Sequence, residues 1–139
     1  VDHSLIEFEL TESATATNQR YLVFVMDELR KRGFRISMDD FGTGYSSFAL
    51  LNEMPLDTLK IDKSFVDMIA TEAGEETNKI QIILRHIISM AKEMGVNCVA
   101  EGTEEYQQIL TLRELGCEIV QGYYYSRPIP VEEFEEKYL

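Results

Sequence analysis

The sequence predicts an α/β fold, a partial (β/α) barrel of the TIM type with about five parallel strands and outer helices. Three observations carry that prediction. Strand-like and helix-like segments alternate along the chain, which is the signature of a parallel sheet. Strand parity separates an apolar face from a polar one. The polar face gathers Glu9, Asp39, Lys60, Glu101 and Gln121, each near the C-terminal end of its own strand. Barrels of this type place their active sites there. A complete barrel needs about 250 residues. The 139 residues here suffice for one domain with a core, and for the later strands of such a barrel.

The expected strands are Leu5 to Leu10, Phe34 to Asp39, Thr58 to Ile61, Val96 to Glu101 and Glu118 to Gln121. In the first, Ile6, Phe8 and Leu10 oppose Glu7 and Glu9. In the second, Ile36 and Met38 oppose Arg35, Ser37 and Asp39. In the third, Leu59 and Ile61 oppose Thr58, Lys60 and Asp62. In the fourth, Cys98 and Ala100 oppose Asn97, Val99 and Glu101. In the fifth, Val120 opposes Ile119 and Gln121. A first helix is expected from Asn18 to Arg32, with Tyr21, Leu22, Val25 and Leu29 on its core face and Gly33 as its stop. A short helix around Ser47 to Glu53 ends before Pro55. Ser64 is expected to cap another. The stripe Ile80, Ile83, Leu84, Ile87, Ile88 and Ala91 marks a long helix from Asn78 to Met94, stopped by Gly95. Glu104 to Leu115 follows, stopped by Gly116, and a last acidic helix starts near Pro130. Thr71 to Thr77 reads as a floppy insertion. A receiver domain of the flavodoxin type also carries an acid pair and a lysine. It places them after its first and last strands, whereas here the pair follows the second strand and Lys60 lies in the third.

Composition narrows the function. A net charge of −12 argues against a nucleic-acid polymer as partner. Cys98 and Cys117 have no CxxC spacing and read as reduced thiols of a cytoplasmic protein. Arg85 and His86 interrupt the longest apolar helix, so no membrane contact is expected from this segment. The chain opens on Val1-Asp2-His3 with no initiator Met, and reads as an excised piece of a longer protein.

The densest chemistry lies at Asp39-Asp40-Phe41-Gly42-Thr43-Gly44-Tyr45-Ser46-Ser47. Carboxylates crowded on one face raise each other's pKa unless cations neutralise them. Glu9, Asp39 and Asp40 are the best ligand candidates for divalent ions, with Glu101 next. A metal pair about 3.5–4 Å apart activates water and holds a phosphoryl oxygen. Ideal parity sends Asp40 away from Asp39, so both reach one site only if the chain bends, which Gly42 makes easy. Lys60 suits orienting a water or balancing negative charge. Gln121 suits a hydrogen bond to water or substrate, and Glu101 suits a base or a ligand. Plainer readings stand beside these. An Asp-Asp pair is more often a turn or cap, Lys60 pairs with any nearby acid, and Glu9 and Glu12 serve as helix N-terminal charges. Asp40-Phe41-Gly42 matches a kinase triplet, but no His-Arg-Asp loop accompanies it. His3 and His86 read as structural, and Tyr123, Tyr124 and Tyr125 as packing groups.

Five segments together resemble the EAL domain, the bacterial phosphodiesterase family that hydrolyses cyclic di-GMP. They are Glu9 to Ser13, Asp39 to Ser47, Asp57 to Val66, Ala100-Glu101-Gly102 and Gln121 to Pro128, which stand in family order over almost the whole chain. The resemblance implies two Mg2+ or Mn2+ ions held by Glu9, Asp39, Asp40 and Glu101, with Glu101 as the proposed base and Lys60 near the attacking water. It implies that Gln121 lines the substrate site and that Glu12 holds the loop after Asp40, a loop that also bears on dimer contacts. Glu104 matches an acidic position of less defined role. The implied reaction opens the cyclic dinucleotide to linear pGpG. The family's Glu-Ala-Leu motif and metal-binding Asn lie on earlier strands and are absent here, so the chain reads as the C-terminal part of one EAL domain, 1–139. This portion alone is then expected to be inactive and to self-associate. A degenerate cyclic di-GMP receptor and a protein-interaction module are the competing functions. Thr103-Glu104-Glu105 replaces the usual Val-Glu-Thr.

Overall fold

The computed structural model describes residues 2–11, 19–42, 48–69 and 75–139, with side chains described for all of these except 48–50 and 75–78. Five strands form one sheet: β1 (Glu7–Thr11), β2 (Arg35–Phe41), β3 (Thr58–Ile61), β4 (Asn97–Glu101) and β5 (Ile119–Gln121). They lie in sequence order, and every neighbouring pair is parallel. Among the described residues the helices are α1 (Gln19–Lys31), α2 (Phe48–Glu53), α3 (Lys63–Ile69), α4 (Glu75–Glu93), α5 (Tyr106–Glu114) and α6 (Val131–Tyr138). Each strand-to-strand link passes through at least one helix, as parallel pairing requires.

The apolar face of the sheet carries the core. Ile36, Met38 and Leu59 join Met26 of α1 and Ala91 of α4 in one buried cluster. Ile61 and Ala100 join Val66 of α3, Leu84 and Ile88 of α4 and Leu112 of α5 in another. The amphipathic stripes rotate slightly from expectation. Tyr21 is 65% exposed, and Met26 takes the buried place on α1; Ile83 is 47% exposed on α4. Leu22, Met26 and Leu29 share one helical face, whereas Tyr21 lies one position off it.

Several boundaries differ from the sequence reading, with β2 running on to Phe41 and α5 starting at Tyr106. The chain reaches β1 through a 3-10 turn at His3–Leu5, where the Asp2 carboxylate accepts a hydrogen bond from the Ser4 amide at 2.9 Å. At α3 the cap is Asp62, whose Oδ1 accepts from both the amide and the hydroxyl of Ser64, so Ser64 lies inside the first turn. Glu75–Thr77 are the first turn of α4, not an insertion; 71–74 lie outside the described residues. At α5 the buried Gln108 side chain accepts from the amides of Glu104 and Glu105 at 2.8 and 3.0 Å and donates to the Val66 carbonyl at 3.3 Å. That one amide side chain satisfies helix-terminal donors and ties α5 to α3. No described helix is long and apolar enough to cross a membrane.

Two glycines fix the rim of the sheet. Gly102, directly after β4, has φ +73°, and a Cβ there would overlap the Lys63 side chain at 2.4 Å. Gly122, directly after β5, faces the Thr103 backbone so closely that a Cβ would lie 2.1 Å from its carbonyl oxygen. Two main-chain hydrogen bonds maintain that approach: Thr103 N–H to the Gln121 carbonyl at 3.2 Å, and Tyr124 N–H to the Thr103 carbonyl at 3.0 Å. Backbone cannot yield as a flexible side chain does. Gly122→Ala is therefore expected to destabilise the protein by about 3 kcal/mol, an overpacking cost, measured as a lower urea midpoint with unchanged m value. A midpoint equal to wild type would refute the close approach.

Candidate functional site

The polar face of the sheet lines an open concavity of about 960 Å3. Glu7, Glu9, Arg35, Thr58, Lys60, Asn97, Val99, Ile119 and Gln121 all contribute to its wall, which are the positions parity assigns to that face. The space lies near the upper limit of typical small-molecule sites.

Lys60 is the hub. Its residue is 8% exposed, and its Nζ lies 2.6 Å from Glu9 Oε1, 2.7 Å from Glu101 Oε1 and 3.8 Å from Asp39 Oδ1. Carboxylates from β1, β2 and β4 thus converge on an ammonium from β3. Gln121 on β5 is the register partner of Glu101. The sheet brings all five polar strand-end residues to one rim.

The acid pair sits in a bulge of β2. Met38 pairs with Leu59 and Phe41 with Ile61, so two residues of β2, Asp39 and Asp40, stand opposite the single Lys60 of β3. Asp40 takes up the extra residue with φ +57°, rare for a non-glycine residue. The Asp40 amide donates to Asp39 Oδ1 at 3.0 Å. The bend thus falls on Asp40 itself, two residues earlier than expected from Gly42. The sequence signal for it was the acid pair at the end of a strand: Asp tolerates the left-handed region better than most residues.

The electrostatics follow from this arrangement. Burial disfavours the Lys60 charge, but hydrogen bonds to Glu101 and Glu9 outweigh it and hold the group well above its ordinary 10.5. Burial dominates at Glu101 and holds it above the ordinary 4.5; Lys60 pulls the other way, and the charges of Asp39 and Glu9 add to the rise. Glu101 therefore has the higher proton affinity expected of a base.

A divalent cation fits these donors by chemistry. The acidic groups at the rim offer only oxygen, which suits hard cations such as Mg2+ and Mn2+. Among the described residues no three acidic, His or Cys side chains already form a cage, because the carboxylates close on the Lys60 ammonium rather than on one another.

Other expectations meet mixed outcomes. Glu12 lies outside the described residues. Tyr123 and Tyr125 are not core packing groups: they are 50% and 59% exposed and line the concavity. The Arg127 guanidinium lies 4.5 Å over the Tyr123 ring, and Tyr124 stacks with Tyr106 at 6.0 Å between centroids. Sequence reasoning missed Lys63. Its ammonium pairs with Asp67 at 2.8 Å and Glu104 at 3.1 Å, while its carbon chain covers Gly102, so it clasps α3 to the loop after Glu101. The Lys63…Asp67 spacing of four on a helix was the available signal.

Comparison with known proteins matches this geometry to a family. The EAL domain model aligns with residues 1–128. The cyclic di-GMP phosphodiesterase NbdA of Pseudomonas aeruginosa is 45% identical over 94% of this chain, which spans 16% of that protein. The cyclic di-GMP complex of the PaMucR phosphodiesterase superposes with a TM-score of 0.86 at 33% identity, covering 96% of this chain and 52% of that one. The manganese and cyclic di-GMP complex of Klebsiella pneumoniae BlrP1 superposes with a TM-score of 0.82 at 29% identity, covering 92% and 31%.

Proposed function

The chain belongs to the EAL domain family, and from that membership we propose that its parent protein hydrolyses cyclic di-GMP to linear pGpG. The observation that carries the proposal is the convergence of Glu9, Asp39 and Glu101 on Lys60 at one rim, with Asp40 next to Asp39 in the β2 bulge. The relatives named as cyclic di-GMP phosphodiesterases, and the neighbours holding that dinucleotide, support the substrate.

Divalent cations, Mg2+ or Mn2+, would be held by Glu9, Asp39, Asp40 and Glu101, and when bound they supply Lewis acidity toward the phosphate and the water. Glu101 accepts the proton of the attacking water, a role its raised proton affinity suits. Lys60 is charged throughout the physiological range, and it orients the water and balances negative charge as the ester bond breaks. Gln121, adjacent to Glu101 across the β4–β5 pair, hydrogen-bonds the substrate. Chromatographic separation of cyclic di-GMP from pGpG after incubation with the parent protein and Mg2+ or Mn2+ tests the reading. Conversion that stops on chelation is expected; tight binding without conversion would make the parent a receptor instead.

We further read this chain as the C-terminal part of one EAL domain. The family's Glu-Ala-Leu motif is not in the sequence, so residues 1–139 alone are expected to show no turnover. Phe8, Ile119 and Phe134 are 42%, 48% and 48% exposed, and β1 and β5 are the outermost strands of the sheet among the described residues. Open edges and apolar surface favour pairing with a second copy. Light scattering of this 139-residue chain is expected to report a mass above 16.0 kDa, and a monodisperse monomer would contradict the self-association.

A further inference from the structure

We propose that Cys98 and Cys117 are a dithiol that closes to an intrachain disulfide when a hydroperoxide enters the cavity beside Cys98. The inference stands apart from the phosphodiesterase reading, because neither sulfur is on the polar face of the sheet. Cys98 projects from β4 toward the helices, and Cys117 precedes β5 in the adjacent layer of the core. Cys117 Sγ lies 3.6 Å from the Cys98 carbonyl oxygen, so the two residues are in direct contact. Val99 and Ile119 are register partners, so Glu118 falls opposite Cys98 and Cys117 lies one residue further back, a diagonal separation of about 6 Å from the strand spacing and rise. A disulfide spans Cα separations of roughly 4.4–6.8 Å, so closure requires side-chain rotation rather than displacement of a strand.

Access is unequal. Cys117 is 2% exposed, whereas Cys98 is partly exposed. Cys98 opens into a cavity of about 190 Å3 shared with Ile88, Lys92, Asn97 and Glu118. That volume admits a small neutral oxidant such as hydrogen peroxide, at about 30 Å3 per water-sized molecule. Oxidation therefore starts at Cys98: its sulfur takes one peroxide oxygen as the O–O bond breaks, giving a sulfenic acid and releasing one water. The Cys117 sulfur then attacks the Cys98 sulfur. The S–S bond forms, the S–O bond breaks, and the hydroxyl leaves as a second water with the Cys117 proton. The hydrogen bond from Cys98 holds Cys117 below the usual thiol range, which suits it to the second step. The same contact, together with burial, pushes Cys98 up, so the first step is the slow one. The closed form would tie β4 to β5 just upstream of Glu101 and Gln121.

Peptide mapping of the reduced full-length protein after hydrogen peroxide treatment tests the proposal. The expected result is a cross-linked pair of peptides containing Cys98 and Cys117, loss of both thiols, and full recovery with dithiothreitol. Cys117→Ala is expected to trap Cys98 as a dimedone-reactive sulfenic acid, and Cys98→Ala to leave Cys117 unmodified in the folded protein. The wild-type map decides even if either variant misfolds. Survival of both thiols under peroxide that fully oxidises free cysteine, over-oxidation of Cys98 with Cys117 intact, or cross-links only between chains would each overturn it.

Discussion

Glu101→Gln is expected to lower cyclic di-GMP turnover by the parent protein about 10³-fold, the scale of losing a positioned base. Glutamine keeps the size of the side chain and one carbonyl oxygen, but it accepts no proton. Glu101 lies 2.7 Å from Lys60, and burial in the fold raises its proton affinity above that of an ordinary carboxyl. The sign of the linkage is definite. A carboxyl held above 4.5 in the folded state binds more protons there than in the unfolded chain. Stability contributed by this group therefore falls as pH rises from 4.5 through the raised folded value. Turnover rises over that same interval, because the ionised form is the base. Glu101→Gln removes both dependences, so its stability changes less with pH than that of wild type. Initial rates across pH 5 to about 9, with denaturation curves at each pH, check the two together. A variant with wild-type turnover would exclude Glu101 as the base.

Lys60→Met is expected to lower stability by about 2 kcal/mol and turnover about 10²-fold. Three carboxylates lose their common counter-charge, while methionine keeps the buried chain volume. Breaking a fully buried pair costs roughly 3–5 kcal/mol, and the smaller figure reflects Glu9, whose side chain is 53% exposed and regains water. Lys60 is raised above 10.5 in the fold. Its contribution is therefore complete below that value and is lost only as pH climbs through the folded value. The gap between wild type and variant should hold at pH 9 and narrow only above 10.5. Urea titrations at both pH values measure it, and a gap that closes between pH 7 and about 9 would mean that Lys60 is not held by these acids.

The sheet face was readable because period-two alternation is simple: Glu7, Glu9, Arg35, Thr58, Lys60, Asn97 and Gln121, all assigned to the inner face, line the concavity. The bulge was only half legible. Asp39-Asp40 announced that something had to bend, but residue order does not say which residue leaves the ladder, and that depends on the Lys60 pairing across β2 and β3. Helix boundaries shifted for local reasons. Asp62 outcompetes Ser64 as a cap because its carboxylate reaches two donors at once. Gln108 fixes the start of α5 through hydrogen bonds that extend to α3, a contact set by tertiary packing. Lys63 escaped notice for a related reason. Its i,i+4 partner was visible, but the Gly102 surface it covers becomes its neighbour only once β4 lies beside β3.

Anomalous diffraction at the manganese edge, from crystals of the parent protein grown with Mn2+, addresses the coordination chemistry directly. Peaks are expected among the carboxylate oxygens of Glu9, Asp39, Asp40 and Glu101, at the rim above β1 to β4. Manganese bound elsewhere, with Glu9, Asp39 and Glu101 still closed on the Lys60 ammonium, would contradict it.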